Sequence, residues 1–223
     1  MGLIIDVTKV LDEKLLTDAQ VKRDEKGNID NNTFYPSSAG YCIRKQWFER
    51  KYPKIFPVQT YKHFLMGNLL HEWVQKNLFP NAINEESIQW TDKGLKIRGR
   101  IDCISDGIIY EFKSIKNLHY VKEAPKEEHV KQLNLYLHAK GYDKGVIVYF
   151  TKDDFSIVQH EVLYDNKLYN STLREFKLLK KYLINNVEPK KLCKMSWFCD
   201  YCKEAHAKNK DIIAKVKAKK AKK

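Results

Sequence analysis

From residue 60 to residue 78 the apolar positions Phe64, Leu65, Leu69, Leu70, Trp73, Val74 and Leu78 return every three or four places, and this spacing predicts a helix. The pattern then changes to alternation. ESIQW, LKIRGRIDCIS and GIIYEFKS read as three strands, the last two joined at Asp106-Gly107, a dipeptide suited to tight hairpins. Helical spacing resumes at about 124–140, GVIVYFT and FSIVQHEVLY read as two further strands, and a long helix is expected over about 165–185. Upstream, Val10, Leu11, Leu15 and Leu16 mark a helix over about 7–24. NIDNNTFYP reads as a loop, and Ser37 and Ser38 are placed to cap a helix through CIRKQWFERKY, which Pro53 and Pro57 separate from the next. No internal repeat is visible. This order of elements predicts an α/β fold, a mixed sheet with helices packed on it.

At 223 residues and 43% hydrophobic content the chain has enough apolar surface for a core. No apolar run approaches the length of a membrane span, and MGLIIDVTKV has neither a secretory pattern nor Ser or Thr at position 6 for myristoylation. The expectation is an intracellular protein, cellular or phage-encoded, without a membrane partner. The formal charge of +13 favours a polyanionic partner, nucleic acid before an acidic membrane surface. Eight of the lysines fall from Lys208 onward, so residues 1–207 are expected to form one domain and residues 208–223 a lysine-rich tail, either a phosphate-contacting arm or a solvated one.

The hairpin GRIDCISDGIIYEFKS carries the candidate chemistry. With a turn at Asp106-Gly107, Asp102 pairs with Glu111 and Arg100 with Lys113. Alternation then puts Ile101, Cys103, Tyr110 and Phe112 on the opposite face, with Cys103 in the core. Carboxylates paired at about 4.5–5.5 Å repel. A hard divalent cation relieves that repulsion, whereas Arg100 and Lys113 alone would turn the four charges into an exposed salt-bridge lattice of little energetic weight. His71, four residues after Gly67 on one helical face, would suit such a cation as a neutral imidazole. Gln132 and Tyr136 share a face of the later helix.

In order along the chain these residues form G-x-x-x-H (Gly67, His71), G-x-x-D (Gly99, Asp102), E-x-K (Glu111, Lys113) and Q-x-x-x-Y (Gln132, Tyr136). This succession resembles the PD-(D/E)XK nuclease superfamily in its RecB-like exonuclease branch, over about residues 37–202. The resemblance implies a restriction-endonuclease-like core. It also implies Mg²⁺ or Mn²⁺ held by His71, Asp102, Glu111 and the Phe112 carbonyl, with catalysis by Asp102, Glu111 and Lys113 and positioning by Gln132 and Tyr136. The implied activity is hydrolysis of DNA, favoured as an exonuclease on single strands or free ends. Protein partners would come from recombination or CRISPR adaptation. A non-catalytic nucleic-acid-binding or interaction subunit of the same fold is the competing reading.

Cys42 and the C-terminal Cys193, Cys199 and Cys202 add a second feature. Four clustered thiolates suit an iron–sulfur cluster or zinc. The resemblance extends here to the iron–sulfur members of the branch, CRISPR-associated ones included, and implies a [4Fe-4S] staple on Cys42, Cys193, Cys199 and Cys202, with zinc as the alternative. In that family the C-x-x-C pair comes before the five-residue gap, whereas this chain has the gap first, which leaves His206 as a substitute ligand. Arg44, Lys45, Trp47, Arg50 and Lys51 mix charge with an aromatic surface, as single-strand binders do. Arg44, Lys45, Trp47 and Arg100 are therefore expected to contact nucleic acid, against the alternative of Trp47 in the core and the charges on a solvated helix face.

Overall fold

A run of alternating residues pairs edge to edge, and here the pairing makes one six-stranded mixed sheet. The computed structural model describes residues 5–26, 30–53, 55–190, 193 and 199–203. Its strands are β1 (Thr33–Phe34), β2 (Ile83–Asp92), β3 (Leu95–Ser105), β4 (Ile108–Ile115), β5 (Lys144–Thr151) and β6 (Ile157–Leu163). The helices are α1 (Val7–Lys26), α2 (Ile43–Lys51), α3 (Val58–Leu78), α4 (Glu127–Lys140) and α5 (Asn166–Ile184), with short 3₁₀ turns at Pro36–Ser38 and Leu118–Val121. The α/β architecture expected from the pattern is present, helices on a mixed sheet.

Strand β2 lies antiparallel along β3 from Leu95 to Ile104, so it takes one whole edge of β3. Two strands share the other edge. β1 pairs in parallel with Lys96 and Ile97, and β4 pairs antiparallel with Cys103, Ile104 and Ser105. β3 and β4 are therefore zipped at the turn and forked beyond it. From β4 the sheet continues to parallel β5 and antiparallel β6, with α4 as the crossover that a parallel pair needs.

The hairpin register is the expected one, Cys103 opposite Tyr110, and Asp106 and Gly107 both have positive φ (50° and 74°), as a tight two-residue turn requires. Two expectations are corrected nearby. The β1 segment is not loop: Thr33 and Phe34 are buried against β3, where the pair supplies core. Ser37 and Ser38 do not cap α2. Cys42 holds that position, and the serines belong to the 3₁₀ turn.

The core has two sides. On one side Leu133 and Tyr136 of α4 pack on Ile101, Ile104, Ile109, Ile147 and Tyr149. On the other Val74 of α3 packs with Cys103, Phe112, Val148 and Phe150. A neighbouring cluster packs Phe34, Trp47, Leu95 and Ile97 against Tyr169, Leu173, Phe176 and Leu179 of α5. Asp165 begins α5 by accepting hydrogen bonds from the Lys167 and Leu168 amides. Among the described residues, no helix is long and apolar enough to cross a membrane.

Candidate active site at the forked hairpin

Alternation breaks at Asp102. Ile101 belongs to the α4 side and Cys103 to the α3 side, although residues two apart on a regular strand share a face. The expectation that Ile101 joins Cys103, Tyr110 and Phe112 is thus corrected for Ile101 alone. Opposite the break, the β2 ladder leaves Glu85 unpaired, with a φ of 57°. Gln75 of α3 takes over there, donating to the Asp102 carbonyl at 2.7 Å and to Glu85 Oε1 at 2.8 Å.

Where β3 and β4 part, the Asp102 side chain replaces a ladder bond. Its Oδ2 accepts from the Phe112 amide at 2.9 Å. Glu111, only 1% exposed, faces α4. Its Oε1 accepts from Lys113 Nζ at 2.5 Å and from Gln132 Nε2 at 2.6 Å. Its Oε2 is buried without a hydrogen-bond donor among the described residues. His71 Nδ1 stands 3.9 Å from Asp102 Oδ2, with its ring edge-on to Phe112 and Phe150.

These contacts dispose of the surface-lattice alternative. Glu111 is buried, and Arg100, 67% exposed, pairs with Glu85 and not with the two acids. Burial raises the Asp102 carboxyl above its ordinary range, and burial plus the charge of Asp102 pushes Glu111 up to about 8. Burial works against charge on Lys113 too, but Glu111 and Asp102 outweigh it and raise the lysine, which stays protonated. Burial and then Lys113 lower His71 to about 4, so its imidazole is neutral. Two buried acids that disfavour each other's charge, one with an oxygen that has no partner, stand beside a neutral imidazole and offer oxygen and nitrogen donors of the kind a hard divalent cation takes, although among the described residues only the four cysteines draw their ligand atoms together as a ready-made metal group.

The motif partners are built into this frame. Tyr136 donates from its hydroxyl to the Arg100 carbonyl at 2.9 Å and lies over Gly99. A Cβ on Gly99 would come within 2.6 Å of Tyr136 Cε1, which is why G-x-x-D begins with glycine. Gly67 is buried on α3 against Ser114. Gln132 and Tyr136 are both buried and bond to the protein's own site.

The four cysteines expected to act together do converge, with the Sγ atoms of Cys42, Cys193, Cys199 and Cys202 all within 4.8 Å of one another. Cys42 and Cys202 are 3.6 Å apart across 160 residues of sequence. Burial raises the thiols of Cys193 and Cys202, the latter to about 11. Burial also opposes ionisation of Cys199, but the Tyr201 amide and the neighbouring thiols bring it below its ordinary value. Such a set fits a cation that stabilises thiolates. His206 and the lysine-rich tail lie outside the described residues.

Two of the expected nucleic-acid contacts are corrected. Trp47 is 5% exposed and packs in the core, its indole donating to the Tyr182 carbonyl. Arg44 is committed to the C-terminal segment, donating to the carbonyls of Tyr201 (2.5 Å) and Pro189 (3.0 Å) and pairing with Glu188. Arg50 is likewise used internally, on the Thr33 carbonyl and the Phe34 ring. Lys45, over the Tyr41 ring, and Arg100 remain near the surface. Gln75 is a site residue that the motifs do not include, although its place one turn after His71 on the same helical face is an available signal.

No family model matches the chain. In sequence it is 27% identical over 185 residues to the CRISPR-associated exonuclease Cas4 of Saccharolobus solfataricus, a match covering 78% of this chain and 85% of that protein. In structure it is similar to the crystal structure of SSO0001, with a TM-score of 0.60 at 25% identity over 89% of this chain and 96% of that one. The resemblance carried by the four motifs and the cysteines is thereby met again by sequence and by fold.

Proposed function

We propose that this chain is a divalent-metal-dependent DNA nuclease of the RecB-like PD-(D/E)XK type, an exonuclease on single strands or DNA ends. One observation carries the reading: the buried Asp102–Glu111 pair, which has an orphaned oxygen and Lys113 bonded to it at the mouth of the fork. The likeness to a Cas4 exonuclease supports the substrate class and points to partners in CRISPR adaptation or recombination.

His71, Asp102, Glu111 and the Phe112 carbonyl would hold Mg²⁺ or Mn²⁺. A cation there supplies an activated water at neutral pH and neutralises charge developing on the phosphate. The remaining work belongs to the chain. Lys113, held protonated, donates to the attacking water or to the phosphate and stabilises negative charge, a role suited to a fixed cation more than to a base. Gln132 fixes the orientation of Glu111, and Tyr136 fixes the strand that bears Asp102 through the Arg100 carbonyl. His71 offers a neutral nitrogen at any pH above about 4. Water attacks phosphorus and the leaving sugar oxygen departs as a hydroxyl, cutting one phosphodiester bond.

The four-thiol centre is read as a [4Fe-4S] staple, with zinc as the alternative that the same preparation distinguishes. Protein purified without oxygen is expected to absorb in the visible and to degrade labelled single-stranded DNA with manganese or magnesium. Asp102→Ala is expected to lose the degradation and keep the absorption. Equal degradation by both proteins removes the nuclease reading in favour of a binding or interaction subunit, and colourless protein with stoichiometric zinc removes the cluster.

A further inference from the structure

Across the β4–β5 ladder the partner of Lys113 is Tyr149. Paired residues on neighbouring strands share a face, so Tyr149 stands beside Lys113 on the α4 side, fully buried in the cluster that holds Tyr136. Its hydroxyl accepts from the Lys126 amide at 3.0 Å and lies 2.8 Å from His129 Nδ1. Burial, followed by the charges of Lys113 and Lys126, lowers His129 to about 3, so the ring is neutral. A phenol that accepts from an amide has its own proton to give. With that proton assigned to Nδ1, the ring proton lies on Nε2. Nε2 has no hydrogen-bond partner among the described residues, and His129 is half-buried. His129 lies three residues before Gln132, on the helical face that meets the site.

We propose that His129 is a substrate-positioning residue whose Nε2–H, oriented by Tyr149, donates to a backbone phosphate oxygen of the DNA strand entering beside Lys113. The inference rests on the nuclease reading and adds to it a contact outside the four motifs. Because the donor is neutral, it displaces no counterion. Losing it shifts DNA affinity at every salt concentration without changing the salt slope, unlike the loss of a lysine contact.

Glutamine and asparagine separate this role from a structural one. The glutamine amide nitrogen reaches the position of Nε2, whereas asparagine reaches only that of Nδ1. Binding of a fluorescent single-stranded oligodeoxynucleotide to the full chain, with metal omitted so that nothing is cut, gives the readout. A hydrogen bond to a charged group is stronger than one between neutral groups, so His129→Asn is expected to weaken Kd by about tenfold or more, with Tm and salt slope unchanged. His129→Gln is expected to stay within about twofold of wild type. Wild-type affinity in His129→Asn overturns the proposal, as does rescue by asparagine and not glutamine, or absence of oligonucleotide binding by wild type. Cleavage is scored separately with manganese. A wild type that binds but does not cut counts against the nuclease reading, while the phosphate contact of His129 stands or falls on the binding data.

Discussion

Glu111 concentrates the physical tension of the molecule in a single side chain. Burial and Asp102 hold its carboxyl near 8, far above its ordinary 4.5. In metal-free protein the folded state therefore keeps a proton that the unfolded chain releases at about 4.5. The resulting stabilisation is complete below that pH and is lost as pH rises through about 8. A cation that replaces the proton reverses the trend. Melting curves in EDTA are expected to show Tm falling between about pH 5 and pH 8, with manganese raising Tm most at the alkaline end. Glu111→Gln should flatten both responses, and a wild-type Tm in EDTA that tracks this variant across the range would contradict the assignment. The identity of this residue is legible in the sequence, since E-x-K after a hairpin turn places acid and lysine on one face. Its burial is not, because alternation gives the face and not what covers it, and the cover is Gln132 on a helix 21 residues away.

Among the elements, the hairpin and α4 explain each other. The turn residues set the register correctly, yet only three pairs form before β3 and β4 part, and further along the same edge β1 pairs with Lys96 and Ile97 instead. A two-residue strand such as Thr33–Phe34 is too short to leave a periodic signal, so the fork is hidden in the sequence even though both strands are plain. The break at Asp102 is hidden for a similar reason, since the residues opposite it, Glu85 and Gln75, come from other elements. Tyr136 closes over Gly99, and the tightness of that contact makes a direct test. Gly99→Ala would overpack a site where Tyr136 is held by its own hydrogen bond, at a cost of about 1–3 kcal/mol. The expected outcome is a Tm lowered by several degrees together with reduced nuclease rate. A Tm within a degree of wild type would show that the ring can move aside.

For the molecule as a whole, the cysteines join the end of the chain to the start of α2. Cys42 meets Cys202, Arg44 grips the carbonyls of Pro189 and Tyr201, and Phe48 stacks on Tyr201 at 5.9 Å. Sequence spacing brings out the cysteines but not the clamp. Arg44 reads as a DNA contact because its backbone acceptors leave no trace in the pattern. Cys202→Ser and Arg44→Ala are both expected to lower the metal content of the four-thiol centre and to make the C-terminal segment sensitive to protease, whereas Asp102→Asn leaves both unchanged. Full metal content in Arg44→Ala would show that the thiols assemble without the clamp. The four-thiol centre at the start of α2 and the fork in the sheet are separate devices, and only the fork is assigned the chemistry. The most direct measurement is therefore the initial rate of nucleotide release from an end-labelled DNA strand in manganese, for wild type and Glu111→Gln at equal protein concentration. Loss of several kcal/mol of charge stabilisation, at ~1.4 kcal/mol per tenfold, predicts a fall on the order of 10³-fold. Equal rates for the two proteins would contradict the account.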